Sequence, residues 1–180
     1  TEYQPSHLLV PYIDSYWEFK GNPDYGMRIH ILPDGCTDFI FTLGEVANAV
    51  EEGSLIIQPS RSYIVRPMTK YSELVTYTES IHMFGVRFLP CGLSCFTNLP
   101  LHEFVNSRVS TNEMKAVFDD TFIEKLGEQK HVTDRIRVVE EYLQAYLARH
   151  YKPADSHVAM AVSMINQSKA KRSVRSLMDD

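Results

Sequence analysis

The first hundred residues carry short runs of apolar and polar positions in alternation, which is the pattern of β-strands. The clearest run is residues 37–43, which is rich in β-branched and aromatic side chains and lies between Gly35 and Gly44. Further runs are found at 29–32, 55–58, 63–66, 74–78 and 81–89. Several short strands without helical patterns between them are typical of a β-sandwich or β-barrel.

The pattern becomes helical after Pro90. Ser110 followed by Glu113 has the form of a capping box and predicts a helix to about residue 118. Shorter or less regular helical patterns lie at 100–106, 120–126, 157–167 and 174–178. The chain is therefore predicted to be α+β, with the strands first and the helices after them.

Residues 132–150 have the most regular helical pattern of the chain. Their apolar positions are spaced alternately four and three residues apart, as in the seam of a coiled coil. This spacing fits either a helix packed on its own domain or a seam between two copies, and the sequence leaves both open. A homodimer of the second kind would use Val132, Ile136, Val139, Leu143 and Tyr146.

Composition and charge restrict which kinds of protein this sequence can encode. The 180 residues suit one domain, or one domain with part of a second, and no apolar run approaches the roughly 20 residues that cross a bilayer. The three cysteines cannot all pair within the chain and indicate reduced thiols in a cytoplasm. Residues 1–130 carry 10 basic and 17 acidic side chains, a net charge of −7, whereas residues 131–180 carry 8 and 6, a net charge of +2. This asymmetry predicts two modules with different roles.

Two parts of the sequence resemble the AraC/XylS family of bacterial transcription regulators. The tail is similar to the opening of that family's helix-turn-helix domain, in which a first helix is followed by a turn and a second helix beginning Ser173-Val174 and reaching Leu177. The body is similar to a sensor domain found in some members. The segments that carry the resemblance are Tyr16-Trp17, 31–35, 84–90, 99–104, 158–165 and 169–177.

The resemblance implies three parts. Residues 1–130 would be a cupin-like effector-sensing β-barrel with short trailing helices, 131–152 a linking and dimerisation helix, and 153–180 the truncated start of the DNA-binding domain. The recognition helix, which reads base edges in the major groove, is missing from the sequence. DNA is therefore expected as a partner only of the full-length protein, and the basic side chains of the tail would contact phosphates without specifying sequence. These are Lys169, Lys171, Arg172 and Arg175.

The residues that catalysis or metal binding would need are not assembled. A cupin metal site uses several imidazole ligands, and His30 has no second histidine two residues away. Cys91 and Cys95 have the spacing of one helix face, but two thiols of this kind are more often small buried apolar groups. Nucleophile-elbow and phosphate-loop motifs are absent from the sequence. No enzyme activity, metal or cofactor is expected.

A sensor would instead need a mostly apolar pocket with a few polar groups. Alternation places Met83, Gly85 and Arg87 on one face of their strand, and either face could line the pocket. The candidate contacts to an unknown small-molecule effector are Trp17, His30, Asp38, Tyr63, Tyr77, His82 and Arg87. Two other functions fit the pattern: a stand-alone cupin-like binding protein or metal-dependent enzyme, and a protein-interaction module that binds no small molecule.

Overall fold

A computed structural model describes residues 1–31, 33, 35–44, 49–51, 56–58, 60–65, 67–68, 71–76, 80–98, 108–111, 117–118, 120–150 and 156–167. Within these residues the fold is α+β, with ten strands followed by α-helices. The strands are β1 Glu2–Tyr3, β2 Ile13–Gly21, β3 Arg28–Ile31, β4 Thr37–Thr42, β5 Ala49–Glu51, β6 Ile56–Ile57, β7 Ser62–Val65, β8 Ser72–Thr76, β9 Ile81–Phe88 and β10 Arg108–Ser110. A 3₁₀-helix spans Gly92–Cys95, and the α-helices are α1 Asp120–Gly127, α2 Val132–Arg149 and α3 Ser156–Gln167.

The strands form two antiparallel sheets. The first has the order β1-β2-β9-β4-β7-β10, and the second has the order β3-β8-β5-β6. In the described part of the chain no strand pair joins the two sheets, so the closed barrel implied by the family resemblance is not observed. The predicted α+β class is confirmed at the level of antiparallel sheets followed by helices.

Strand β9 separates two cores because its side chains alternate between two faces of the first sheet. Phe84, Val86 and Phe88 are fully buried in a large core on the side of the helices. On the opposite face, Met83 belongs to a smaller cluster with Ile29 of the second sheet. Helices α1 and α2 therefore cover one face of the first sheet, and the second sheet approaches the other.

Aromatic rings connect the helices to the large core. The rings of Phe118 and Phe122 stack with centroids 4.5 Å apart, and Tyr142 of α2 lies 4.8 Å from Phe122. The Tyr142 hydroxyl also donates to the carbonyl oxygen of Val117 at 2.6 Å. Because each large apolar side chain contributes about 1.5–3 kcal/mol when fully buried, these contacts make α2 an integral part of the domain.

The predicted dimer positions of α2 lie in this same core. Val139 and Leu143 are fully buried, and Val132, Ile136 and Tyr146 pack against the cluster at its edge. The seam interpretation is therefore corrected for Val139 and Leu143, because side chains enclosed by their own chain cannot contact a second copy. The structure supports the other interpretation, a helix packed on its own domain.

Several predicted elements agree with the structure and several differ. Helix α2 and the strands around residues 37–43 and 81–89 lie where they were predicted. Strands β2 and β10 were not predicted, and Ser110, expected to cap a helix, ends β10. The predicted helices at 100–106 and 174–178 lie outside the described residues.

Candidate functional site

The face of the first sheet turned toward the second sheet brings together residues from three neighbouring strands. In the register of the sheet, Arg87 of β9 lies directly opposite Asp38 of β4. One row further, Gly85 lies between Trp17 of β2 and Ile40 of β4. A polar row therefore borders an apolar row, at a separation of about 7 Å along the strands.

Trp17 lies flat against Gly85. A Cβ atom placed on Gly85 would come within 2.0 Å of Cε2 of the indole ring, which no side chain tolerates. A glycine inside a strand commonly marks such a close approach of another group. The position of the ring is fixed by its polar end, since Nε1 donates a hydrogen bond to Oδ1 of Asp38 at 2.8 Å.

At least two donors hold Asp38. Besides the indole N–H, the Nε of Arg87 lies 3.3 Å from Oδ1 and 3.4 Å from Oδ2. The Asp38 side chain is 12% exposed and that of Arg87 is 30% exposed. A carboxylate buried to this extent needs such partners, because an unpaired charge in an apolar setting is costly. The three side chains thus form one connected polar group inside an apolar surface.

A cavity of about 340 Å³ opens over this group. Trp17, Asp38 and Arg87 line it together with apolar side chains from both sheets, and Thr1, Glu2 and Glu18 complete the lining. Small-molecule sites have this character, an apolar lining with a few fixed polar groups that orient the ligand. The apolar lining residues are Phe19, Ile29, Ile40, Val65 and Met83.

The region that contains this cavity matches a known family. A family model described as a domain of unknown function, DUF6597, matches residues 1–110. The chain belongs to the DUF6597 family. Every residue that lines the cavity falls within the matched DUF6597 region.

Comparisons with individual proteins do not extend the family assignment. Among solved structures, the chain is similar to ToxT from Vibrio cholerae, with 10% sequence identity and a TM-score of 0.48. The alignment covers 88% of this chain and 67% of ToxT. Similarity at this level is too low to assign a function. No curated protein matches the chain significantly.

The candidate effector contacts fall into separate places within the DUF6597 region. Trp17, Asp38 and Arg87 line the cavity. Tyr63 belongs to the small core on the same face, where its hydroxyl accepts a hydrogen bond from the backbone N–H of Gln58 at 2.8 Å. Tyr77 lies outside the described residues.

The two candidate histidines lie away from the cavity. The side chain of His30 is 57% exposed, and its Nε2 lies 3.5 Å from Glu73. His82 is on the helix-facing side of the first sheet, where its Nε2 lies 2.9 Å from Oε1 of Glu18. Neither imidazole lines the cavity, because both residues alternate onto the opposite face of their strand.

Sequence reasoning missed most of the apolar lining. Phe19 and Ile29 were not considered, because β2 was not predicted and a single strand pattern does not reveal which sheets face each other. Gly85 was the available signal: a glycine in the middle of an otherwise bulky strand indicates that a large group rests on it. That signal would have pointed to the face shared by Met83, Gly85 and Arg87.

The opposite face of β2 contacts helix α2 directly. Oε1 of Glu18 accepts a hydrogen bond from Nη1 of Arg135 at 2.8 Å. Two residues earlier, the hydroxyl of Tyr16 donates to Oε1 of Glu140 at 3.3 Å. The same Glu140 oxygen accepts from the backbone N–H of Ser6 at 2.7 Å. Alternate residues of one strand therefore face the cavity and the helix.

Because of the buried Tyr16 hydroxyl, we expect the folded protein to lose stability at alkaline pH. Burial, and then the charge and hydrogen bond of Glu140, raise the pKa of Tyr16 well above its ordinary value. Because the unfolded chain ionises this group near pH 10, the stability that Tyr16 contributes is complete below that pH and is lost as the pH rises further. Between pH 10 and 11 the free energy of unfolding should fall about 1 kcal/mol more in the native protein than in Tyr16→Phe.

Urea denaturation at pH 8, 10 and 11 measures this difference. At pH 8 Tyr16→Phe should lose about 1 kcal/mol, the usual contribution of one hydrogen bond. Equal losses of stability in the two proteins above pH 10 would show that Tyr16 ionises normally in the fold.

A second, larger cleft lies between α1 and the strand ends. It measures about 640 Å³, and its lining includes Thr42, Arg61, Glu124 and Glu128. The hydroxyl of Thr42 is committed to the backbone: its O–H donates to the carbonyl oxygen of Gln58 at 2.6 Å, and its oxygen accepts from the N–H of Arg61 at 2.9 Å. Its apolar lining consists of Leu43 and Ile123 alone, which makes this cleft a poorer match to a small-molecule site than the cavity at Trp17.

Three further expectations concern metal binding, membrane insertion and contact with DNA. Among the described residues, no group of three His, Cys, Asp or Glu side chains is placed to hold a metal ion. No helix in the described part of the chain is long and apolar enough to cross a membrane. The predicted DNA-proximal residues Lys169, Lys171, Arg172 and Arg175 lie outside the described residues.

Proposed function

We propose that this chain is the ligand-sensing and dimerisation portion of an AraC-type transcription regulator, and that the cavity at Trp17 is its effector site. The observation that carries the proposal is the cavity itself, about 340 Å³ in volume, in which the connected group of Trp17, Asp38 and Arg87 lies beside five apolar side chains. The proposal assigns the cavity a binding role without catalysis and without a cofactor.

The sequence supplies the regulatory part of the proposal. The tail resembles the first two helices of an AraC-type DNA-binding domain, and Ser173-Val174 and Leu177 carry that resemblance. In this division residues 1–130 sense the effector, 131–152 link the parts and 153–180 begin the DNA-binding domain. DNA is then a partner of the full-length protein, where a recognition helix follows.

Dimerisation in this proposal uses the surface of α2 that lies outside the core. Arg137 and Glu141 are exposed on that surface, whereas Val139 and Leu143 are enclosed. A polar contact of this kind would weaken as the salt concentration rises, because exposed charges are screened. Molecular mass by light scattering at low and high salt measures it.

The binding role is tested with N-phenyl-1-naphthylamine, a neutral apolar dye that accepts energy from excited tryptophan. Trp17 is the only tryptophan of the chain and lines the cavity, so its emission reports occupancy. The dye should quench Trp17 emission in a saturable way. Filling the cavity with Ile40→Phe should weaken binding about tenfold, since overpacking a filled site costs of the order of 1–3 kcal/mol.

Val10→Phe is the matched control, because it adds a ring at a position that is 51% exposed. It should leave the dye affinity unchanged. Equal affinities in Ile40→Phe and the native protein, or dye binding without a change in Trp17 emission, would place the dye elsewhere and overturn the proposed site.

A further inference from the structure

Strand β2 joins the cavity to helix α2 through residues that alternate along it. Trp17, Glu18 and Phe19 all line the cavity, while the side chains of Tyr16 and Glu18 bond to α2. Because side chains alternate along a strand, a displacement of β2 moves both sets together. No loop or intervening element separates the cavity from the helix.

The two contacts between β2 and α2 have similar spacings along the strand and along the helix. Tyr16 and Glu18 are two strand residues apart, or about 7 Å. Their partners Glu140 and Arg135 are five helix residues apart, or about 7.5 Å. The strand therefore lies along the helix in the opposite direction, and a shift of β2 along its axis acts on both contacts at once.

The link at Arg135 is buried and incompletely satisfied. The side chain of Arg135 is 6% exposed and that of Glu18 is 20% exposed. Nη1 donates to Glu18, and Nη2 donates to the carbonyl oxygen of Gln129 at 2.5 Å. Nε of Arg135 is buried without a hydrogen-bond partner among the described residues. A buried donor in this state is unfavourable, so the contact at Arg135 is held at a cost in free energy.

Glu18 is also the point where a third element joins. Its Oε1 lies 2.9 Å from Nε2 of His82, on the strand that pairs with β2. One carboxylate oxygen therefore contacts both the helix and β9, the strand that carries Gly85 beneath Trp17. A movement of Trp17 can therefore reach this contact by two routes: along β2, which carries Trp17 and Glu18, and along β9, which carries Gly85 and His82.

We propose that β2 transmits occupancy of the cavity to α2, and that the contact between Glu18 and Arg135 is where the helix responds. This inference rests on the proposed function, since it requires a ligand in the cavity. It makes Arg135 a positioning residue that touches no ligand. Coupling between two sites is reciprocal, so disrupting the helix contact must change affinity in the cavity.

The test measures both directions of the coupling with N-phenyl-1-naphthylamine. In the native chain, dye binding should change the hydrogen exchange of the amides of α2. In Arg135→Gln, the dye affinity should shift about fivefold, the lower range of measured couplings, and the exchange response of α2 should disappear. Arg149→Gln is the matched control, because Arg149 is exposed in the last turn of the same helix, fourteen residues beyond Arg135. It should change neither quantity.

The outcomes separate the inference from the proposed function. Dye binding at Trp17 that leaves α2 exchange unchanged, with equal affinities in the native chain and Arg135→Gln, would overturn the coupling and leave the effector site intact. Absence of any dye-dependent change at Trp17 would overturn both. If Arg135→Gln does not fold, the exchange measurement on the native chain decides the question alone.

Discussion

Replacing Leu143 with aspartate is expected to unfold the chain, not to separate two copies of it. Leu143 is fully buried between α2 and the first sheet of its own chain. Removing a leucine from such a position costs about 2–5 kcal/mol, and a buried unpaired carboxylate adds to that cost. The sum is comparable with the whole stability of an ordinary domain, about 5–15 kcal/mol. Circular dichroism with urea denaturation measures the loss.

Ala145→Asp is the control for this prediction, because it places the same charge on the same helix at an exposed position. Its cost should stay below about 1 kcal/mol, the range of helix propensity. A Leu143→Asp protein that remained folded at half the native mass would contradict the packing described above and restore the seam between two copies.

The heptad spacing of α2 shows why the sequence alone could not decide this point. Apolar residues at spacings of three and four mark one buried stripe of a helix, whatever covers that stripe. Aromatic side chains that contact α2 come from residues outside the helix, such as Phe96 against Tyr146 and Phe118 against Tyr142. The helix itself and its apolar face were predicted correctly, but its partner depends on tertiary packing.

Strand β2 illustrates the opposite difficulty. Its sequence mixes aromatic side chains with Asp14, Glu18 and Lys20, so no apolar face is evident. The structure explains the pattern, because Glu18 is paired with a buried arginine of α2 and Trp17 faces the cavity. A strand that contacts partners on both faces loses the simple alternation from which strands are recognised.

The candidate site was predictable to the level of residue type but not of grouping. A polar residue on an otherwise apolar strand face identified Asp38 and Arg87, and their opposite register joins them. The same reasoning selected His30 and His82, which the structure places elsewhere. Alternation divides residues between two faces, whereas only the arrangement of the sheets shows which face encloses a cavity.

Replacing Gly85 with alanine is expected to displace Trp17 and close the cavity. The added Cβ atom would lie 2.0 Å from Cε2 and 2.3 Å from Cζ2 of the indole, so the ring has to move. Overpacking costs about 1–3 kcal/mol, and loss of the indole N–H leaves buried Asp38 with one donor fewer, at a cost of about 1–3 kcal/mol. The free energy of unfolding should therefore fall by about 3 kcal/mol. Binding of N-phenyl-1-naphthylamine should weaken at least about tenfold.

Gly21→Ala is the matched control, because Gly21 ends the neighbouring strand β2 and an added Cβ there meets nothing within 4 Å. Alanine at Gly21 should leave the Trp17 emission and the dye affinity unchanged. Trp17→Ala combined with Gly85→Ala provides a second check, since removing the ring removes the clash and the two losses should fall short of their sum. Additive losses would mean that Gly85 and Trp17 do not act on each other.

The same variants test why strand β9 has a glycine at position 85. Glycine weakens a strand interior, because it adds conformational entropy to the unfolded chain and offers no side chain to pack. An alanine would therefore favour β9 if nothing lay above it, as it should when Trp17 is also removed. Suppose that Gly85→Ala stabilises the Trp17→Ala protein but destabilises the native protein. The space needed by the indole ring would then be the reason that β9 has a glycine at position 85.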